Sequence, residues 1–112
     1  MKAHYTIKTV LFSLAAMMHV VQAAEIEHLE PAFWWAGMKE SKLQLMVHAK
    51  DIQQAQVELN YPGVKLIGLQ KVESPNYLFV DLELSPDVKP GNFELSFRQN
   101  GKVVAKHNYS LL

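Results

Sequence analysis

No cysteine occurs anywhere in the 112 residues. Its absence excludes disulfides, thiolate nucleophiles and thiolate metal ligands, and with them the anchoring cysteine of a lipoprotein. Charge of one sign is lacking too, since eleven Lys and Arg face eleven Asp and Glu. Binding to nucleic acid through its phosphates needs a basic stripe, and no segment supplies one. The basic amphipathic helix of a membrane-surface binder is also missing. Nucleophile elbows of the Gly-x-Ser-x-Gly type and phosphate-cradling glycine loops do not occur.

What is present begins with a leader-like segment. Lys2 and Lys8 precede an apolar run from Thr9 to Val21 that is shorter than the roughly 20 residues of a membrane span. Val21-Gln22-Ala23 then offers the small side chains of a signal-peptidase site, so residues 1–23 are expected to be a signal peptide and residues 24–112 the mature domain. Cleavage removes two lysines and no acids, leaving nine basic against eleven acidic residues. A periplasmic or secreted protein, free of the membrane once processed, is expected.

The remainder reads with period two. Leu43, Leu45 and Val47 alternate with polar neighbours, as do Leu78, Val80, Leu82 and Leu84, then Phe93, Leu95 and Phe97. Val103, Ala105, His107 and Tyr109 form one face of the last segment, and Val57 and Leu59 mark a shorter one. Val64 to Val72 alternates less cleanly, as near an edge or bulge. Pro62-Gly63, Ser74-Pro75-Asn76, Ser85-Pro86-Asp87, Pro90-Gly91 and Asn100-Gly101 supply turns, and Asp51 to Gln56 suits a short helical turn. About seven short strands so punctuated predict an all-β, immunoglobulin-like antiparallel sandwich.

Catalytic and metal-binding constellations are hard to assemble from these residues. His28, His48 and His107 fall on separate strands without ligand spacing, so no metal or cofactor is expected. Asp81 and Glu83 share the polar face of one strand, and two carboxylates about 5–10 Å apart can hydrolyse a glycosidic bond. An acid catalyst needs a cleft that raises its pKa, however, and a small flat sandwich offers little. A solvated outer face is the expected role of this pair, and the chain by itself is not expected to be an enzyme.

Aromatics are the remaining candidates. The two tryptophans are adjacent, in Pro31-Ala32-Phe33-Trp34-Trp35-Ala36-Gly37-Met38, and each large ring can bury about 150–250 Å². Strand alternation predicts that Trp34 and Trp35 face opposite ways, one inward and one outward. Phe33, Trp34, Trp35, Tyr61, Tyr77 and Phe79 are candidate residues for a protein interface or for stacking on sugar rings.

Ile26-Glu27-His28-Leu29-Glu30-Pro31-Ala32-Phe33-Trp34-Trp35-Ala36-Gly37-Met38 resembles the opening of the N-terminal domain of bacterial cyclomaltodextrinases and neopullulanase-like α-amylases of glycoside hydrolase family 13. The likeness continues through Leu43 to Ala49, Leu59 to Val64, Pro75 to Val80 and Lys89 to Phe93, covering the mature chain in order. It implies an immunoglobulin-like domain that precedes a catalytic (β/α)8 barrel, with maltodextrin or starch as the substrate of the whole enzyme. The barrel, of the same or a split polypeptide, is the implied partner, and no catalytic residue carries over to this chain. The resemblance implies that such a domain packs on the barrel, helps dimers form and helps shape the substrate cleft. A second copy of the chain and a maltodextrin are thus further expected partners. A free-standing carbohydrate-binding module and a protein-binding sandwich remain alternatives.

Overall fold

Alternation along the chain becomes two facing sheets in the computed structural model, which describes residues 25–112. The expected signal peptide lies outside the described residues. Seven strands follow in order: β1 His28–Glu30, β2 Lys42–His48, β3 Gln56–Glu58, β4 Val64–Lys71, β5 Tyr77–Leu84, β6 Gly91–Gln99 and β7 Lys102–Leu111. One sheet has the order β1-β2-β5-β4 and the other β3-β6-β7, all neighbours antiparallel. That four-plus-three division is the constant-type immunoglobulin arrangement.

The core forms where the two apolar stripes meet. Leu43, Leu45 and Val47 of β2 and Leu78, Val80, Leu82 and Leu84 of β5 face Phe93, Leu95 and Phe97 of β6 and Ala105, Tyr109 and Leu111 of β7. A 3-10 turn at Ile52–Gln54 closes the far end, with Ile52 fully buried. Among the described residues no charged side chain is buried, and the one buried side chain with a hydroxyl is Tyr109. With no cysteine to form a disulfide, hydrophobic burial carries this fold.

Turn chemistry acts as the sequence implies. Asn100 and Gly101, both with positive φ (53° and 78°), close the β6–β7 hairpin, as a two-residue primed turn requires. In edge strand β4, Ile67 is an extra residue that shifts the register between Leu66 and Gly68 against β5. Such a bulge disrupts the edge as a template for pairing with other chains.

His107 shares the inward face of edge strand β7, opposite Leu95 in register. Burial holds its imidazole below the ordinary value of 6.5. The unfolded chain thus binds a proton at a higher pH than the folded one. The stability present above pH 6.5 is lost as pH falls from there through the folded value. Thermal midpoints measured from pH 7.5 down to 5 should fall for the wild type, and the slope should shrink in His107→Leu.

Candidate functional site

Three connections and the last residue gather at one end of the sandwich. β1 leaves the first sheet at Glu30, β2 begins at Lys42, β4 begins at Val64, β5 ends at Leu84, β6 begins at Gly91 and β7 ends at Leu111. Segments 31–41, 59–63 and 85–90 therefore share this end with Leu112.

The aromatic string is held here by backbone pairing. After a cis Glu30–Pro31 peptide the chain crosses to the second sheet and runs parallel to the end of β7 at the Trp34–Leu111 bridge. Trp34 donates its N–H to Ser110 O (3.1 Å) and accepts from Leu112 N (2.8 Å), while Ala36 donates to Leu112 O (2.8 Å). The two indoles do not face opposite ways, as alternation predicts for a strand; the pairing is a single bridge, and the rings stay in contact and differ in exposure. Trp34 is half-buried and packs on the core, whereas Trp35 is 45% exposed and its neighbour Phe33 41%. The outer rings support one another, Phe33 and Trp35 meeting edge-to-face with centroids 5.2 Å apart. Trp34 and Trp35 lie 5.5 Å apart at a tilt.

Met38 (45%) and Leu112 (55%) are exposed on the same end. Of the six large apolar side chains exposed among the described residues, four are thus Phe33, Trp35, Met38 and Leu112, and Ile67 and Val72 lie elsewhere. Met38 and Leu112 had no signal in the sequence, because their placement depends on the pairing of segment 34–36 with the chain's last residues.

Tyr61 belongs to the framework of this end. Its ring packs on Phe93 (5.4 Å), which packs on Tyr109 (5.7 Å), and its hydroxyl donates to Lys89 O at 2.7 Å. Gly91 makes room for it, since a Cβ there would collide with the Tyr61 hydroxyl. Two shallow depressions of about 440 and 510 Å³ share Gly63 and Ser85 beside it. In the first, the Ser85 hydroxyl donates to Asp87 Oδ1 at 2.6 Å and holds that carboxyl below its ordinary value, with Lys89 adding to the effect.

Tyr77 and Phe79 lie far along the chain from this end, on the outer face of β5. Tyr77 stacks on His48 with centroids 4.5 Å apart, and His48 stacks on His28 at 6.1 Å. The histidines show no paired spacing in sequence; antiparallel pairing of β1 with β2 sets them opposite each other. His48 Nδ1 lies 3.5 Å from the Glu27 carboxylate. Among the described residues no three such side chains gather to hold a metal ion.

The carboxylates of β5 are engaged by neighbours. Asp81 accepts Gln44 Nε2 on Oδ1 (2.8 Å) and Gln70 Nε2 on Oδ2 (2.7 Å), and Glu83 stands between Lys42 and Lys65 in register. Both are on the outer face of the sheet, away from the core.

A family model described as "Cyclomaltodextrinase, N-terminal" matches residues 28–112. Among solved structures, titin M4 in a trigonal crystal form is similar at 9% identity and a TM-score of 0.40, over 83% of this chain and 91% of that one.

Proposed function

The chain belongs to the cyclomaltodextrinase N-terminal domain family, and we propose that it is the non-catalytic accessory domain of a maltodextrin- or starch-active glycoside hydrolase of family 13. The sandwich end bearing Phe33, Trp35, Met38 and Leu112 docks on the catalytic (β/α)8 barrel, supplied by the same or a split polypeptide. The same contact brings the domain to the rim of the substrate cleft and stabilises dimers of the enzyme. Export to the periplasm or medium is part of the proposal and rests on the leader-like residues 1–23.

The observation that carries this reading is the clustering of exposed apolar side chains at one end. Scattered apolar residues are ordinary on any surface, but a contiguous aromatic group marks a surface that a partner covers. Phe33 and Trp35 already contact one another, so a partner meets a preformed aromatic knob and orders little at the moment of docking.

Expressed without a partner, the protein should bind a hydrophobic dye and self-associate in sedimentation. Trp35→Ala should reduce both while leaving the thermal midpoint nearly unchanged. Trp34→Ala should instead lower the midpoint, because its indole packs on the core. A wild-type monomer that binds no dye would falsify the docking reading.

A further inference from the structure

Where β1 meets β2, register sets His28 opposite His48, and His48 opposite Tyr77 of β5. Leu29 and Val47, the neighbours of the two histidines, are buried in the core, so both imidazoles project from the outer face. His28 is exposed and lies on an edge strand. Nothing in the sequence spacing of the pair suggests a chelate. Strand pairing alone makes them neighbours.

Their separation suits a shared metal ion. A late first-row dication sits about 2.0–2.1 Å from an imidazole nitrogen, and so about 3.2 Å from the ring centre. Two imidazoles on one ion therefore hold their centroids about 5–6 Å apart, for ligand angles from tetrahedral to about 140°. The His28 and His48 centroids lie 6.1 Å apart. Their rings are nearly parallel, at 11°, which sets the nitrogens side by side rather than toward one point. Turning the exposed His28 ring about its side-chain bonds brings its Nε2 toward that of His48 without disturbing the core.

His48 is the oriented member of the pair. Tyr77 stacks on it with centroids 4.5 Å apart, and the Glu27 carboxylate lies 3.5 Å from its Nδ1. A carboxylate at that nitrogen favours the tautomer protonated on Nδ1 and leaves the Nε2 lone pair for a metal. Metal-bound histidines characteristically have such a partner. Glu30 adds a second carboxylate on the same face of β1, two residues from His28. Among the described residues neither Glu27 nor Glu30 pairs with a Lys or Arg, so the surroundings attract a cation.

We infer that His28 and His48 form a two-imidazole surface site for a late first-row divalent ion of the zinc, nickel or copper class. Glu27 acts as the positioning residue, and water fills the other coordination positions. Imidazole ligands select these ions over the oxygen-seeking Mg²⁺ and Ca²⁺. Bound metal clamps edge strand β1 to β2 and stabilises the folded chain. The inference rests on the β1–β2 pairing and is independent of the docking end.

Titrating the untagged, isotope-labelled protein with Zn²⁺ and following the histidine ring resonances tests it. The His28 and His48 signals should shift saturably with one common midpoint, and Mg²⁺ should move neither. His28→Gln and His48→Gln should each weaken binding on the order of tenfold or more, because either change leaves a single imidazole. The double variant should lose little beyond the singles. Glu27→Gln should weaken binding about tenfold, and His107→Gln should leave it unchanged. Zn²⁺ should raise the thermal midpoint of the wild type but not of His28→Gln, whose exposed position leaves the fold intact. The inference is overturned if His28 and His48 do not shift together, if His28→Gln binds Zn²⁺ as tightly as the wild type, or if Mg²⁺ produces the same shifts.

Discussion

Replacing Tyr109 with phenylalanine lowers the unfolding free energy by about 1–3 kcal/mol and loosens the segment that presents Phe33 and Trp35. Tyr109 is fully buried on β7, and its hydroxyl donates to Pro31 O at 2.9 Å. That bond ties the start of the aromatic segment to the core. Burial pushes the phenol up from 10.0 to about 12, so it is a protonated donor at any neutral pH. Phenylalanine keeps the ring packed on Phe93 and strands the Pro31 carbonyl. Tyr109→Ala also removes the ring and should cost about 3–5 kcal/mol. Urea titrations give both magnitudes. The local effect is read from hydrogen exchange, where the N–H groups of Trp34, Ala36 and Leu112 should lose protection in Tyr109→Phe. An unchanged urea midpoint with unchanged exchange would refute the tether. The raised pKa adds an alkaline signature: stability complete below pH 10 is lost as pH rises toward 12. That loss should diminish in Tyr109→Phe.

Much of the fold was legible because a sheet buried on one face forces alternation. Leu43-Leu45-Val47, Leu78-Val80-Leu82-Leu84 and Phe93-Leu95-Phe97 are each inward stripes of β2, β5 and β6. The uneven pattern of Val64 to Val72 corresponds to a bulged edge strand, and Asn100-Gly101 to a hairpin. These signals are local, carried by neighbouring residues or by φ preferences.

The candidate site was legible only in part, because its geometry is set by contacts between distant segments. Alternation implied that the two indoles face opposite ways, but the segment pairs with β7 only at Trp34, and the rings lie 5.5 Å apart with Trp35 the more exposed. Tyr61 stands beside a Pro-Gly turn in sequence, among the outward candidates. Its hydroxyl nevertheless reaches Lys89, 28 residues away, and its ring turns onto Phe93. Gln44 and Gln70 carry no motif at all. They become a pair only because β2 and β4 flank β5, with Asp81 between them. Composition and periodicity cannot encode such cross-strand sets, which exist only once register is fixed.

Gly63→Ala should be strongly damaging at the end that bears Phe33 and Trp35, costing about 2–5 kcal/mol from backbone strain and crowding together. Tyr61-Pro62-Gly63-Val64 is a tight turn, with Val64 N donating to Tyr61 O at 3.1 Å. Gly63 occupies φ +89°, which proline at the second position and glycine at the third suit. A Cβ there would also lie 2.9 Å from Val88 Cγ2 and 3.0 Å from Ser85 Oγ. Neither neighbour can easily yield: Val88 is buried, and Ser85 N donates to Gly63 O at 2.8 Å. Gly37 separates the two contributions. Its φ is +79° but nothing lies within 4 Å of its missing Cβ, so Gly37→Ala meets only the conformational cost of about 1–2 kcal/mol. Val88→Ala supplies the complementary test. Alone it destabilises by leaving a cavity, yet in the Gly63→Ala background it relieves the collision, so the double variant should be more stable than the sum of the singles allows. Additive losses, or equal losses from Gly63→Ala and Gly37→Ala, would mean that Val88 does not constrain this turn.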